Sequence, residues 1–599
     1  MKKNQLIDVL FDQLYPNQLE AKNELLSFIR EHSNLEKQPP WFTETPIVAM
    51  TLYVDLFAKN ILSLKDKLTY FQSLGINLIH LMPILKTRTE ENDGGYAVVD
   101  FNDIDPKFGT KNDLLEVIHF FHQYNIKIMI DFVLNHVAKE HQWAIKAVKG
   151  DSFYRHFFMI YEDDFIPSQF DLTVPLVIPE RKQTNFTYLE SMDAYIYTSF
   201  SDYQWDLNYK NPYVLIEMLK QLYTFSSWGI DMIRLDAIPF MWKTLGTACR
   251  NLPEVHVLMR IFRAFRDMTC PQLALLGEAI VEPHEIVKYF GTDDAPECDF
   301  MYDANLMVDL WHTVATQDAR LLKIDANRFH IPKHAAWLNY IRCHDDIGWG
   351  FNEDALATFG FDPFLHKQFL LSFYNGSFKG SFSRGIDYQR NEKTKDARTN
   401  GMFASLIGIE EANVQHANML LELAVKRMNL INAILLFYQG APMIYAGDDI
   451  GMTNDASYLD NPHKKDDSRW IHRPFYDWNL YEMIISNHEG IAKIYHDLKS
   501  FIKLRQTHPL LQPFVSQRAL DIDHQDVIVL EKYKDNKHLF GIFNVTSRHI
   551  TYDINTLFDQ KMLTLEKDLI QGRIISKNQS FISLAPYEVL YLPAKTATT

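Results

Sequence analysis

Cysteine is scarce in this chain. Four residues, Cys249, Cys270, Cys298 and Cys343, are scattered over nearly a hundred positions. They show neither a metal-ligand spacing nor a disulfide framework, so they read as reduced core residues. No apolar run approaches the length of a membrane span, and the start, Met1-Lys2-Lys3-Asn4-Gln5-Leu6, leads into a helix-like pattern rather than a signal segment. No membrane partner is expected, and the cytoplasm is the expected location. Positive charge is in deficit, 60 Lys and Arg against 76 Asp and Glu for a net charge of -16. That balance argues against nucleic acid as a partner and gives no steering toward anions, while a neutral substrate is indifferent to it. A glycine-rich phosphate turn is missing after the first strand candidate, which disfavours an open dinucleotide-binding sheet.

What is present is ordinary globular composition, 47% hydrophobic and 23% charged over 599 residues, enough for two to four domains. Residues 1–40 read as a short N-terminal helical region, including a helix from Gln18 to Glu31, with Lys37-Gln38-Pro39-Pro40 as a linker. An alternation of strands and helices then begins. Strand candidates are Val48 to Val54, Asn77 to Met82, Ile126 to Val133, Ile230 to Ala237, Leu273 to Ala279, Phe300 to Leu306, Leu338 to Cys343 and Met443 to Ala446, with a helix from Ser63 to Leu74. Eight strands in this rhythm predict an α/β fold, a (β/α)8 TIM barrel over residues 41–507. Two long insertions, 137–206 and 347–402, fall after the third and seventh strands, where loops build the substrate site. From about residue 508 to 594 short alternating runs such as Asp526-Val527-Ile528-Val529-Leu530 read as a separate β-sandwich, and 595–599 read as disordered.

The chain is organised around Gly229-Ile230-Asp231-Met232-Ile233-Arg234-Leu235-Asp236-Ala237-Ile238, a strand that ends by presenting an arginine and an aspartate. Side chains at the carboxyl ends of barrel strands face the active site, so Asp236 is a candidate nucleophile. Arg234, two residues earlier on the same face, is placed to hydrogen-bond Asp236 and keep it ionised. Other strand ends add Asp131-Phe132-Val133-Leu134-Asn135-His136, Gly277-Glu278-Ala279 and His344-Asp345-Asp346. Carboxylates at three strand ends, with one arginine and two histidines to match them, are costly to crowd together for structure alone. A glycosidase needs that imbalance, because its transition state resembles an oxocarbenium cation.

These four segments resemble, in order, the conserved regions of the α-amylase superfamily (glycoside hydrolase family 13), from about residue 46 to the end. Within it the chain is most similar to the amylosucrases and sucrose hydrolases. The resemblance rests on Asp93-Gly94-Gly95-Tyr96-Ala97-Val98, Gln204-Trp205-Asp206-Leu207-Asn208-Tyr209, His344-Asp345-Asp346-Ile347-Gly348-Trp349 and Lys465-Asp466-Asp467-Ser468-Arg469-Trp470 with His472-Arg473-Pro474. It implies a barrel with inserted B and B′ domains and a C-terminal β-sandwich.

The resemblance also implies roles. Asp236 would attack the anomeric carbon, Glu278 would protonate the leaving oxygen and then deprotonate the acceptor, and Asp345 would stabilise the transition state. Retention follows, with the two reacting carboxyls about 5 to 5.5 Å apart. Asp93 and Arg469 would close the pocket beyond one glucosyl unit, on whose ring Tyr96 would stack. His136 and His344 would bond ring hydroxyls, Asp346 and Arg398 would grip the acceptor side, and Phe200 would form the wall. The implied activity is transfer of glucose from sucrose to an α-1,4-glucan, with release of fructose and water as a competing acceptor. Neither cofactor nor metal is expected, and the chain is expected as a monomer or homodimer. Sucrose hydrolase, sucrose phosphorylase and an exo-acting α-glucosidase are the alternatives; a scaffold without catalysis is disfavoured because all three carboxylates are present. The chain departs from amylosucrases in its shorter N-terminal region, in Lys367 where an arginine is usual, and in Asp171-Leu172-Thr173-Val174-Pro175-Leu176 of the first insertion. Lysine keeps the charge but loses the planar fork of arginine.

Overall fold

A computed structural model describes residues 3–33, 39–178, 182–279, 281–462, 464–557, 563–575 and 579–596. Lys37 and Gln38 of the expected linker, and residues 597–599, lie outside the described residues. Eight parallel strands close into a barrel in sequence order: β1 (Ala49–Leu52), β2 (Leu78–Leu81), β3 (Lys127–Val133), β4 (Met232–Asp236), β5 (Ala274–Gly277), β6 (Phe300–Tyr302), β7 (Ala336–Tyr340) and β8 (Ala441–Tyr445). Every residue of β1, β2, β4 and β5 is buried. That is why these strands read as continuous apolar runs: side chains inside the barrel and under the helices are both withdrawn from water.

Three expected elements differ at their ends. The sixth strand stops at Tyr302 instead of reaching Leu306, because the Asp303 side chain accepts the Leu306 N–H and caps the helix Ala304–Thr316. The seventh begins at Ala336 and ends at Tyr340, so Cys343, His344 and Asp345 stand on the loop above it. The segment expected as one helix from Ser63 splits into a 3-10 turn, Leu62–Lys67, and the helix Leu68–Leu74.

The first insertion is fastened at its base by an antiparallel pair, His136–Ala138 with Gln204–Asp206, which sets Asp206 opposite His136. Inside it, Ile160–Tyr161, Ala194–Tyr197 and Phe186–Leu189 form a three-stranded sheet in that order. The second insertion is fastened by a bridge between Ile347 and Thr399 beside the hairpin of Ile386–Tyr388 and Arg398–Asn400. An unexpected antiparallel ribbon, Leu85–Thr87 with Val98–Ile104, follows β2 and carries Asp93 to Tyr96 at its tip.

The N-terminal helices Lys3–Leu14 and Leu19–Glu31 bury Ile7, Phe11, Leu25 and Ile29 in the same core as the barrel. At roughly 1.5–3 kcal/mol per buried large side chain, this docks the segment firmly. Leu19, at the start of the second of these helices, is 65% exposed. At the other end, Gln517–Leu520, Val527–Lys534, Lys537–Asn544, Val589–Thr596 and Leu563–Leu565 form one sheet in that order, and Ile550–Asp553 pairs with Phe581–Leu584 in a second. A core separate from the barrel's lies among them. The last strand takes in Lys595 and Thr596, which the sequence assigned to a disordered tail. Among the described residues no helix is long and apolar enough to cross a membrane.

Candidate active site

At the carboxyl end of the barrel one guanidinium organises three carboxylates. Arg234 Nη1 donates to Asp131 Oδ1 at 2.6 Å and to Asp236 Oδ1 at 2.8 Å, while Nη2 donates to Glu278 Oε1 at 2.8 Å. The register between β3 and β4 pairs Arg234 with Asp131, which makes this contact a direct cross-strand one. After Asp236 the chain turns sharply: Ala237 has φ +57°, a left-handed conformation that costs an L-residue energy, and its N–H donates to Glu278 Oε2 at 3.0 Å. Asp236 and Glu278 are thus held against each other from two sides. Gly277 is required just before Glu278, since a Cβ there would lie 2.5 Å from Met301 Sδ.

The charge states differ from the sequence expectation. Burial works against the Asp131 carboxylate, but His80, whose Nε2 lies 2.9 Å away, and Arg234 outweigh it and hold it at about 2. Asp236 goes the other way. Burial and the neighbouring Glu278 push it well above the usual carboxylate range despite Arg234. The expected bond from Arg234 to Asp236 exists, yet it does not keep that carboxyl low: one positive charge is divided among three acids.

Tyr96 and His344 form the next layer. Their rings stack with centroids 5.6 Å apart, and the Tyr96 hydroxyl lies 3.0 Å from His344 Nε2 and 3.3 Å from Asp131 Oδ1. The His344 carbonyl accepts from Arg473 Nε and Nη2 at 2.9 and 2.7 Å and faces His472 Nε2 at 2.9 Å. Burial, then Arg473 and Arg234, drive the His344 ring well below its ordinary value, so it is neutral. Asp345 Oδ2 is 3.2 Å from His344 Nε2, and its side chain keeps 34% exposure, open to the cleft.

Asp93 and Arg469 do meet. Arg469 Nη2 contacts Asp93 Oδ1 at 3.3 Å, Nη1 contacts Asp345 Oδ1 at 3.3 Å, and Asp467 fixes the guanidinium with a bond to Nη2 at 2.7 Å. Asp93 is carried on a run of left-handed residues, Asp93, Gly94 and Gly95, at φ +51°, +69° and +107°. A Cβ on Gly95 would come within 2.6 Å of Pro83, so the double glycine is a steric requirement. Asp346 pairs with Arg398 at 3.3 Å, and Lys367 pairs with Asp396 at 2.6 Å. His136 and Phe200 pack together at 5.2 Å, and Phe200 rests on Phe240. His136 Nε2, however, lies 3.0 Å from the Gln204 side-chain amide, and the ring is 2% exposed, so it is engaged by protein.

Sequence reasoning left Asp131, His80, Asp467 and Arg473 out of the site. The first two were visible as polar residues inside apolar strands, but only the register shows that they reach Arg234. Two groups bear on metal binding. The oxygens of Asp206 and Asn135 are taken by Lys243 Nζ at 2.8 and 2.6 Å, so an ammonium satisfies them. Cys343, His344 and Asp345 present ligand atoms within 4.8 Å of one another, a set that the sequence spacing of the cysteines did not suggest.

Comparison with known proteins agrees with this architecture. Residues 61–345 match the family described as "Alpha amylase, catalytic domain". The glucosylglycerate phosphorylase of Escherichia coli K12 is 25% identical over 608 aligned positions that cover 98% of this chain and all of that protein. The trehalose synthase/amylase of Mycolicibacterium smegmatis is 29% identical over 395 positions, 65% of this chain and 59% of that protein. Among solved structures, the sucrose 6F-phosphate phosphorylase of Thermoanaerobacter thermosaccharolyticum superposes with a TM-score of 0.65 at 19% identity, covering 84% of this chain and 94% of that one. With its closed barrel and strand-end carboxylates, the chain carries over residues 61–345 a segment that matches the α-amylase catalytic domain family.

Proposed function

We propose that the protein is a retaining, sucrose-cleaving glucosyltransferase of the amylosucrase type. Asp236 attacks the anomeric carbon to form a glucosyl ester, and Glu278 gives its proton to the fructosyl oxygen. An α-glucan hydroxyl, deprotonated by Glu278, then displaces Asp236. Double displacement needs the two carboxyls close together, and their shared hold on Arg234 supports that requirement. Burial and Glu278 raise Asp236 against the pull of Arg234, so substrate must tip that balance toward the carboxylate. Asp236 must be ionised to attack, and the cationic anomeric centre favours its carboxylate while the leaving oxygen takes the proton from Glu278. Asp345, free on its cleft side, holds ring hydroxyls and stabilises the transition state. Tyr96 and His344 flank the glucosyl ring; Phe200 and His136 line the wall. No cofactor or metal takes part, and a cytoplasmic monomer or homodimer is the working form.

The observation that carries this reading is the 3.3 Å Asp93–Arg469 contact, the pair that would close one end of the site and so suit a substrate presenting a single terminal glucosyl unit. A phosphorylase reading is kept alive by the E. coli relative, which spans the whole chain and is named for phosphorolysis. Against it, the acceptor-side cations Arg398 and Lys367 are each matched by a carboxylate, so neither is bare toward phosphate. Incubation with sucrose alone, with glycogen, and with phosphate separates these outcomes. Fructose in excess of glucose, with glucan growth, is expected. Equimolar glucose and fructose would indicate a hydrolase, and glucose 1-phosphate a phosphorylase.

A further inference from the structure

A cavity of about 620 Å³ lies outside the carboxylate site, between the first insertion and the segments that carry Lys210 and Leu245. Ligand pockets fall at about 300–1,000 Å³, so it is large enough for a phosphorylated sugar. Met159, Tyr161 and Leu245 supply an apolar and aromatic wall, and Arg155, His156 and Lys210 supply the polar side. Among the described residues the Arg155 and Lys210 side chains have neither an ion pair nor a hydrogen bond, unlike the paired cations of the active site. The His156 ring is oriented by a 2.6 Å contact of Nδ1 with the Ser152 carbonyl, which leaves Nε2 for a ligand. The His156 carbonyl accepts from both the Asn208 and Asn211 side-chain amides, at 3.3 and 3.2 Å, so the rim is braced.

Two unmatched cations beside one concavity, in a chain of net charge -16, recognise an anion and not a neutral glucan. An aromatic and thioether wall recognises the CH face of a sugar ring. We propose that this cavity binds the phosphate monoester of a sugar, with Arg155 and Lys210 on the phosphate and Tyr161 and Met159 against the ring. The proposal does not depend on which acceptor the catalytic site uses.

Calorimetric titration of the full-length protein with glucose 6-phosphate, inorganic phosphate and glucose tests it. Saturable binding of the ester at one site is expected, with phosphate weaker and glucose silent. The double substitution Arg155→Ala with Lys210→Ala should weaken the ester at least about tenfold with an unchanged unfolding midpoint. Leu245→Trp, which fills the cavity without touching charge, should weaken it as well. Absence of saturable heat, or an affinity indifferent to both substitutions, would overturn the proposal. So would inorganic phosphate binding as tightly as the ester, which would reduce the site to a place for an adventitious ion only.

Discussion

Two groups of buried acids lie on opposite sides of the barrel wall. Inside the mouth are Asp131, Asp236 and Glu278 around Arg234. Outside, beside the helices Ala304–Thr316 and Arg320–Ala326, Asp303, Asp309 and Asp325 line a cavity of about 20 Å³, room for one water. Burial acts upward on the aspartates of both groups. Asp131 nevertheless sits at about 2, because His80 and Arg234 outweigh burial, whereas Asp303, with only helix N–H groups to favour its charge, is pushed up to about 7. Asp309 is raised by burial and by Asp325 and Asp303 beside it. The difference between the groups is counter-charge, not depth. Inside the mouth the supply is short: it suffices for Asp131 and leaves Asp236 raised.

The comparison can be broken in order of expected effect. Asp236→Asn should lower turnover at least about 10,000-fold. Because the removed carboxyl is one that burial penalises, the unfolding midpoint should hold or rise, as thermal melts would record. Arg234→Met strands buried acids and should cost about 3–5 kcal/mol in denaturant titrations. Arg328→Met, which removes a partly exposed partner 3.7 Å from Asp325, should cost under about 1 kcal/mol.

One aspartate from each group, Asp303 and Asp131, carries the opposite pH signature to the other. Asp303 is raised, from 3.8 to about 7, so its contribution to stability is complete below about pH 4 and lost as pH rises through about 7. The loss is about 4 kcal/mol by linkage, and Asp303→Asn, which keeps the helix cap, should flatten it. Asp131 is lowered, from 3.8 to about 2, so its contribution is present above about pH 4 and lost as pH falls through about 2. That amounts to about 2 kcal/mol, measured as the difference between wild type and Asp131→Asn across the acid range. A further effect is expected at the Asp93–Arg469 contact. Asp93→Asn should raise KM roughly tenfold with little change in kcat, and should let longer glucans compete.

Most of the barrel was legible because its strands are apolar runs of fixed length separated by helices, and all eight were placed within a few residues. Their ends were less legible. Asp303 ended β6 by capping a helix, a local hydrogen bond that hydrophobic periodicity does not register. Asp236, Glu278 and Asp345 were named as candidates from strand-end position and short motifs. Asp131 and His80 were passed over, since nothing in a single strand says which neighbour will lie across from it.

The sequence by itself determined the barrel, the insertions and the identity of the acids, because patterning and residue type are local properties of the chain. Only the tertiary structure decided that one arginine serves three carboxylates and that Asp236 rises while Asp131 falls. Charge state depends on distances between segments remote in sequence, and those distances exist only once the barrel has closed.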